Sequence, residues 1–347
     1  MRTMFLYNAW YVAGWSADLS VKASQARTFL GQPVVLFRTE AGQVVALEDR
    51  CAHRSVPLSA GQVAGEAIRC AYHGLEFAAD GTCVRIPCQD LIPPKARVRS
   101  YPVVEQDAAI WIWMGDVEMA DQTAIPRHPY HSDPAWAWRS AHYEVNGNWQ
   151  LLIDNLMDLS HLPYIHPHTI GGDPDTHFRA EMETRRTEAG VFVQRRMPNS
   201  PPPPTYVAAR GFTGRIDRWQ EIEFMPVMLR IHTGGCDVGT GAYDGHRDHG
   251  FSMMGFHGIT PETETTTHYF WSMGTNVLTE GIADLVFEQT EATFREDQVV
   301  LELQQRRLLQ SPDRPRVDIL SDAGGNMARR RLAELMKAEA PKEIATA

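Results

Sequence analysis

Cys51-Ala-His53 and Cys70-Ala-Tyr-His73, separated by sixteen residues, bring two cysteines and two histidines together as matched pairs. A Rieske [2Fe–2S] cluster needs that inventory. Two thiolates hold one iron and two imidazoles hold the other, which raises the reduction potential. Each pair comes from one short loop, so two loops can clamp the cluster from opposite sides. A zinc site can use the same four donors, but zinc ligands usually group Cys with Cys and His with His. The mixed C-x-H and C-x-x-H pairs favour the cluster.

Outward from these loops, residues 1 to about 116 read as an all-β domain. QPVVLFR, QVVALED, TCVRIP and YPVVEQDAAIWIWMGD are short β-branched or aromatic runs parted by turn signals such as Ala79-Asp80-Gly81. The polar, proline-containing stretch DVEMADQTAIPRHPYHSDP marks a boundary, which divides the chain into 1–116 and 117–347. Beyond it the pattern predicts one helix over NWQLLIDNLMDLSHLPYIH and then strands (VFVQRRM, RWQEIEFM, VMLRIHT, HGFSMMGFHGI, THYFWSMG). A long helix from about Ile282 to Leu309 follows. The order is α+β. The Pro201–Pro204 run excludes a helix interior there.

A hydrophobic share of 43% with 22% charged residues is ordinary for a soluble globular protein. The net charge of −10 argues against nucleic acid and against a polybasic membrane anchor. No apolar run approaches the roughly 20 residues of a spanning helix. The N-terminus lacks a clean signal-peptide core and reads as mature sequence. Five cysteines are too few and too odd for a secreted disulfide scaffold. Cys83, Cys88 and Cys236 are expected as reduced thiols of a cytoplasmic protein, although Cys83 and Cys88 are close enough to raise a disulfide question.

A second metal site is suggested by the middle helix. Asp154, Asp158 and His161 fall on one helical face, interrupting an apolar pattern. Such groups need a metal or hydrogen-bond partners when buried. His161 and His166 would diverge on a regular helix, but Pro163 and Pro167 predict that it loosens between them. Two histidines and a carboxylate make the facial triad of non-haem Fe(II) oxygenases. Phe287, Phe294 and Leu301 repeat every seven residues and mark a buried stripe. Asp297 lies on that stripe and is the candidate third ligand, whereas Glu296 points away from it.

With both sites in view the chain resembles the oxygenase (α) component of the Rieske non-haem iron oxygenases. CAHRSVPLSAGQ, CAYHGLEF, LLIDNLMDLSHLPYIHP, ITPETETTTHYF and FREDQVVLELQQRR carry the resemblance, over nearly the whole length. Among the branches it looks most like the vanillate O-demethylase, dicamba O-demethylase and toluenesulfonate methyl-monooxygenase group. The resemblance implies that Cys51 and Cys70 hold the inner iron of the cluster, and His53 and His73 the outer. It implies that His161, His166 and Asp297 hold the mononuclear iron, with Asn155 close by. Asp158 resembles the carboxylate that links an iron ligand to the cluster of a neighbouring subunit, which implies a head-to-tail homotrimer. The catalytic part resembles a helix-grip (START-like) fold, and His257 matches a substrate-contacting position. The implied co-reactants are O2 and electrons from NAD(P)H through a reductase or ferredoxin.

The implied reaction hydroxylates a methyl or methoxy carbon of an aromatic acid, and an acid calls for a fixed cation. Strand alternation groups Met228, Arg230 and His232 on one face of MLRIHTG. If that face lines the pocket, Arg230 grips the anion, with His232 beside it and Phe287 as an apolar wall. A ring cis-dihydroxylase is a rival reading. A bare Rieske electron carrier would need only the first third of the chain.

Overall fold

The computed structural model describes residues 4–339. The chain forms two compact units. The first contains the residues up to Arg127 together with Thr260–Glu264, and the second spans His128–Ile259 and Thr265–Ala338. The stretch 117–127 therefore belongs with the first unit, eleven residues past the boundary drawn at 116/117.

The first unit is built from three small sheets. Val44–Glu48 leads into the Cys51 loop. Ala67–Arg69 and Glu76–Phe77 flank the Cys70 loop and pair antiparallel. Both cysteines belong to one core with Val35, Phe37, Val45, Leu47, Leu58, Ile68 and Phe77. Packing thus fixes the two loops relative to each other.

The second unit is a seven-stranded sheet around a helix. Across the sheet the strands are Ala137–Val145, Thr267–Thr275, Phe251–Pro261, Met228–Asp237, Ile216–Met225, Val191–Ser200 and Glu181–Arg186. The five strands predicted from sequence are all present. Ala137–Val145 and Glu181–Arg186 were not anticipated, because their half-exposed, charge-rich patterns lack a strong apolar alternation. The long helix is Ile282–Gln310 and packs on Ala137–Val145 and Thr267–Thr275. Its buried stripe is Val286, Thr290, Thr293, Phe294, Asp297, Leu301 and Gln305. Polar groups on this stripe find partners. Thr290 Oγ1 donates to the Val286 carbonyl (2.7 Å), and Gln305 Oε1 accepts from Asn148 N–H (2.8 Å). Pro204 stands at the start of a short helix, Pro204–Arg210, where its missing N–H costs nothing.

One helix predicted over 148–166 is in fact three pieces. Trp149–Met157 is α-helical and capped by Asn148, whose side chain accepts from Gln150 N–H. Asp158 then leaves helical geometry (φ −125°) and caps a 3-10 turn, Leu159–His161, through Ser160 N–H (2.8 Å). A last turn, Leu162–Ile165, carries Pro163 near its start. An aspartate is a strong N-cap, and its local bonds compete with helix continuation. Asp154, Asp158 and His161 therefore do not share one regular helical face.

Candidate metal centres and active-site cavity

The two cluster loops are the same turn built twice. Cys51 N–H donates to Val56 O and Cys70 N–H to Leu75 O, both at 2.8 Å. The carbonyl of each cysteine accepts from the residue four positions on, Ser55 (3.0 Å) and Gly74 (3.1 Å). Both of these residues are left-handed, with φ of 59° and 71°. Glycine adopts this conformation freely, whereas Ser55 does so at a cost of about 1 kcal/mol. The turns bury the two cysteines and present His53 and His73 at the surface, their ring centroids 4.6 Å apart. Burial pushes the Cys51 thiol pKa up, a His53 backbone bond opposes this, and the Cys70 side chain adds to the rise. Bound metal would relieve the pair by deprotonating it. Donors sorted by depth, thiols inside and imidazoles outside, suit two irons. A single tetrahedral ion would need all four at one point. Among the described residues only His161, His166 and Asp297 bring three ligand atoms within 4.8 Å of one another.

That second group is made by the broken helix and the long helix. His161 Nε2 lies 3.4 Å and His166 Nε2 3.2 Å from the same Asp297 oxygen. The other ring nitrogens are occupied. His161 Nδ1 is 2.7 Å from the Asp158 carbonyl, which can only accept, and His166 Nδ1 is 2.6 Å from Glu296 Oε2. Nδ1 of both is thus held by an acceptor, and both Nε2 atoms turn toward Asp297, where a bound metal would take the place of the proton shared with it. Burial raises the Asp297 pKa, but His161 and His166 outweigh it and hold the carboxyl well below its usual range. Asn155 Nδ2 donates to Asp297 Oδ1 (2.9 Å) and fixes that carboxylate. Two imidazoles and one carboxylate converging from one side suit Fe(II), leaving coordination positions open.

A cavity of about 530 Å3 of empty space adjoins this group. Its walls include His161, Asp297, Leu156, Leu162, Ile231, Met253 and Phe294. Its largely apolar lining suits a small aromatic molecule.

Two domain models match the chain. Residues 9–102 match the Rieske [2Fe-2S] domain, and residues 145–338 match the vanillate O-demethylase oxygenase C-terminal domain. The iron–sulfur subunit of the toluene-4-sulfonate monooxygenase system of Comamonas testosteroni is 39% identical, over 97% of this chain and 98% of that one. The chain belongs to the Rieske non-haem iron oxygenases. The crystal structure of dicamba monooxygenase bound to 3,6-dichlorosalicylic acid superposes with a TM-score of 0.90 at 33% identity, covering 97% and 99% of the two chains. The same enzyme with non-haem iron and dicamba gives 0.79 at 31% identity, with the same coverage. The present chain is thus a Rieske monooxygenase whose cofactors are a [2Fe–2S] cluster and a mononuclear iron.

In this oxygenase His257 lines the cavity, fully buried, with Nδ1 2.6 Å from Tyr269 Oη. Burial pushes its pKa down to about 3, so the ring is neutral. Three other expected substrate contacts are corrected. Arg230 forms an ion pair with Glu223, and His232 lies 3.4 Å from Glu221. Ile231 and Thr233 line the cavity instead, so the opposite face of this strand is the inner one. Phe287 stacks on Trp271 (4.9 Å) and is a packing residue. Asp154 pairs with Arg329. Cys83, Cys88 and Cys236 are all free thiols, Cys88 exposed and the others buried.

Glu296 also departs from expectation. It sits off the apolar stripe, yet its carboxylate reaches His166. A carboxylate behind a ligating imidazole fixes its orientation and basicity. Glu296→Ala is expected to weaken retention of mononuclear iron by about 10- to 100-fold, leaving the cluster spectrum unchanged. Iron content after dialysis against a graded chelator measures this. Wild-type retention would show that the contact is incidental.

Proposed function

We propose that this oxygenase hydroxylates a methyl or methoxy carbon of an aromatic acid, using O2 and electrons drawn from NAD(P)H through a reductase or ferredoxin. In this reading Cys51, His53, Cys70 and His73 hold the cluster, and His161, His166 and Asp297 hold the mononuclear iron. Once loaded, the cluster supplies single electrons and the iron activates O2. The observation that carries the substrate reading is the cavity, apolar along most of its wall and flanked by His161 and Asp297. Its side chains exclude water and press an aromatic ring into one orientation, so that one carbon is presented to the iron. Asn155 steadies Asp297, and neutral His257 offers a hydrogen bond without a charge.

Asp158 is assigned to electron entry, toward the cluster of a neighbouring subunit in a homotrimer. Its carboxylate lines a separate open cavity of about 750 Å3 together with Arg316, Asp322 and Arg329. No described helix is long and apolar enough to cross a membrane. A cytoplasmic site, where NAD(P)H is available, fits the proposed electron supply.

Turnover of vanillate, methoxybenzoates and 4-toluenesulfonate with a generic reductase tests the proposal. Methoxy substrates should release formaldehyde, because a hydroxylated methoxy group is a hemiacetal and collapses to the phenol. Methyl substrates should give hydroxymethyl products. Formation of cis-diols instead would make the protein a ring dihydroxylase and overturn the reading.

A further inference from the structure

The cavity contains a cation that no ligand assignment so far uses. Arg218 is 1% exposed and lines the cavity. Its Nη2 donates to Ile170 O (2.8 Å) and its Nη1 to Gly171 O (3.1 Å), while Nε has no partner. Tyr206 lies under the guanidinium, 5.3 Å away. Behind it stands a second buried guanidinium, Arg195, which donates to Gln220 Oε1 (3.2 Å) and to the His177 carbonyl (3.0 Å). Gln220 also lines the cavity, and its buried Nε2 has no partner.

Neither guanidinium forms an ion pair with a carboxylate among the described residues; Asp158 acts on Arg195 only at longer range. Burial pulls Arg195 down to about 10, Asp158 opposing and Arg218 adding to the drop, so it stays charged at neutral pH. Burial, then Arg218, push the His177 pKa down to about 3, so the imidazole between the two cations is neutral. Two buried like charges held only by neutral dipoles are poorly compensated. An anion in the cavity would supply the missing charge and accept from the donors left over.

We propose that the anionic head of the substrate, a carboxylate or a sulfonate, docks at the Arg218–Gln220 end of the cavity, with the aromatic ring running along the apolar wall toward His161 and Asp297. This rests on the aromatic-acid reading above and adds the residues that select the acid. Arg218 and Gln220 alternate on one face of Ile216–Met225, which is the inner face of the sheet. Arg230, spent on Glu223 and facing the other way, has no part in it.

Gln220→Glu is the sharpest test, because it adds a compensating carboxylate beside Arg195 and Arg218 at almost constant shape. Binding of 4-methoxybenzoate and 4-toluenesulfonate, measured by calorimetry, should weaken about 100-fold, with KM rising in parallel. Methyl 4-methoxybenzoate, which has no charge, should lose far less binding and turnover than either acid. Arg218→Met should show the same split. Should it fail to fold because the 170–171 carbonyls lose their donor, Gln220→Glu alone decides. Weakening of only one of the two acids would still support the anchor and would identify the head group it fits. Equal losses for acid and ester, or unchanged acid binding, would overturn the anchor while leaving the function proposal standing. A wild-type protein that oxidises the ester but neither acid would overturn both.

Discussion

Asp297→Ala is expected to abolish product formation while leaving the cluster's visible absorption intact. Asp297 is 6% exposed and is the acceptor shared by His161 Nε2, His166 Nε2 and Asn155 Nδ2. Removing it takes away the one anionic donor at the mononuclear site. The loss of iron affinity should exceed the roughly 10- to 100-fold that loss of an outer hydrogen-bond partner costs. Iron content should fall from three per chain to the two of the cluster, and single-turnover product should fall to background. The buried His166 imidazole and the half-buried Asn155 amide would also lose a partner, which costs about 1–3 kcal/mol for a buried polar group left unsatisfied. Asp297→Asn, which keeps an acceptor oxygen, separates the two effects: it should recover the stability but not the iron. Full iron content in the alanine variant would remove Asp297 from the ligand set.

Asp158→Asn is expected to keep both metal centres and to slow electron transfer between them. Asparagine caps a helical turn about as well as aspartate, so the turn that carries His161 should survive. The Asp158 carbonyl that accepts from His161 is unaffected by the change. What is lost is a negative charge on the open-cavity side of an iron ligand. A reduction of about 10- to 100-fold in the single-turnover rate from a pre-reduced cluster is the expected size, that of losing an outer partner of a metal ligand. The checks are stopped-flow decay of the reduced cluster and iron content on the same sample. A rate near wild type, or a rate loss explained by missing iron, would contradict the relay.

The readings that needed only local geometry could be made from the residues alone. Each cluster loop closes on itself within six residues, so the spacing of Cys51, His53, Cys70 and His73 already carried its donor pattern. His161 and His166 converge because the Asp158 cap ends the helix just before His161 and Pro163 starts a new turn between the two histidines, and the proline at least was visible. Asp297 was found through the seven-residue stripe, because a buried helical face is a periodic signal. The break at Asp158 itself was missed. A residue that continues a helix by spacing can end it by capping, and the competition is decided by the bonds Ser160 makes.

Strand phase was beyond the sequence. On Met228–Asp237 the two faces alternate, and a buried Ile231 or a paired Arg230 reads as plausibly inward on either. Which face is concave is set by where the helix Ile282–Gln310 lies across the sheet. That placement turns Ile231, Thr233, Arg218 and Gln220 inward and sends Arg230 and His232 to Glu223 and Glu221. Glu296 follows the same logic. Its helical phase points it off the core, and only the position of His166 against that helix gives its carboxylate a partner. Residue type and spacing pointed to the two candidate donor sets, because those residues are close in the chain or periodic along one helix. The substrate end of the cavity depended on packing between elements far apart in sequence, and only the tertiary structure decided it.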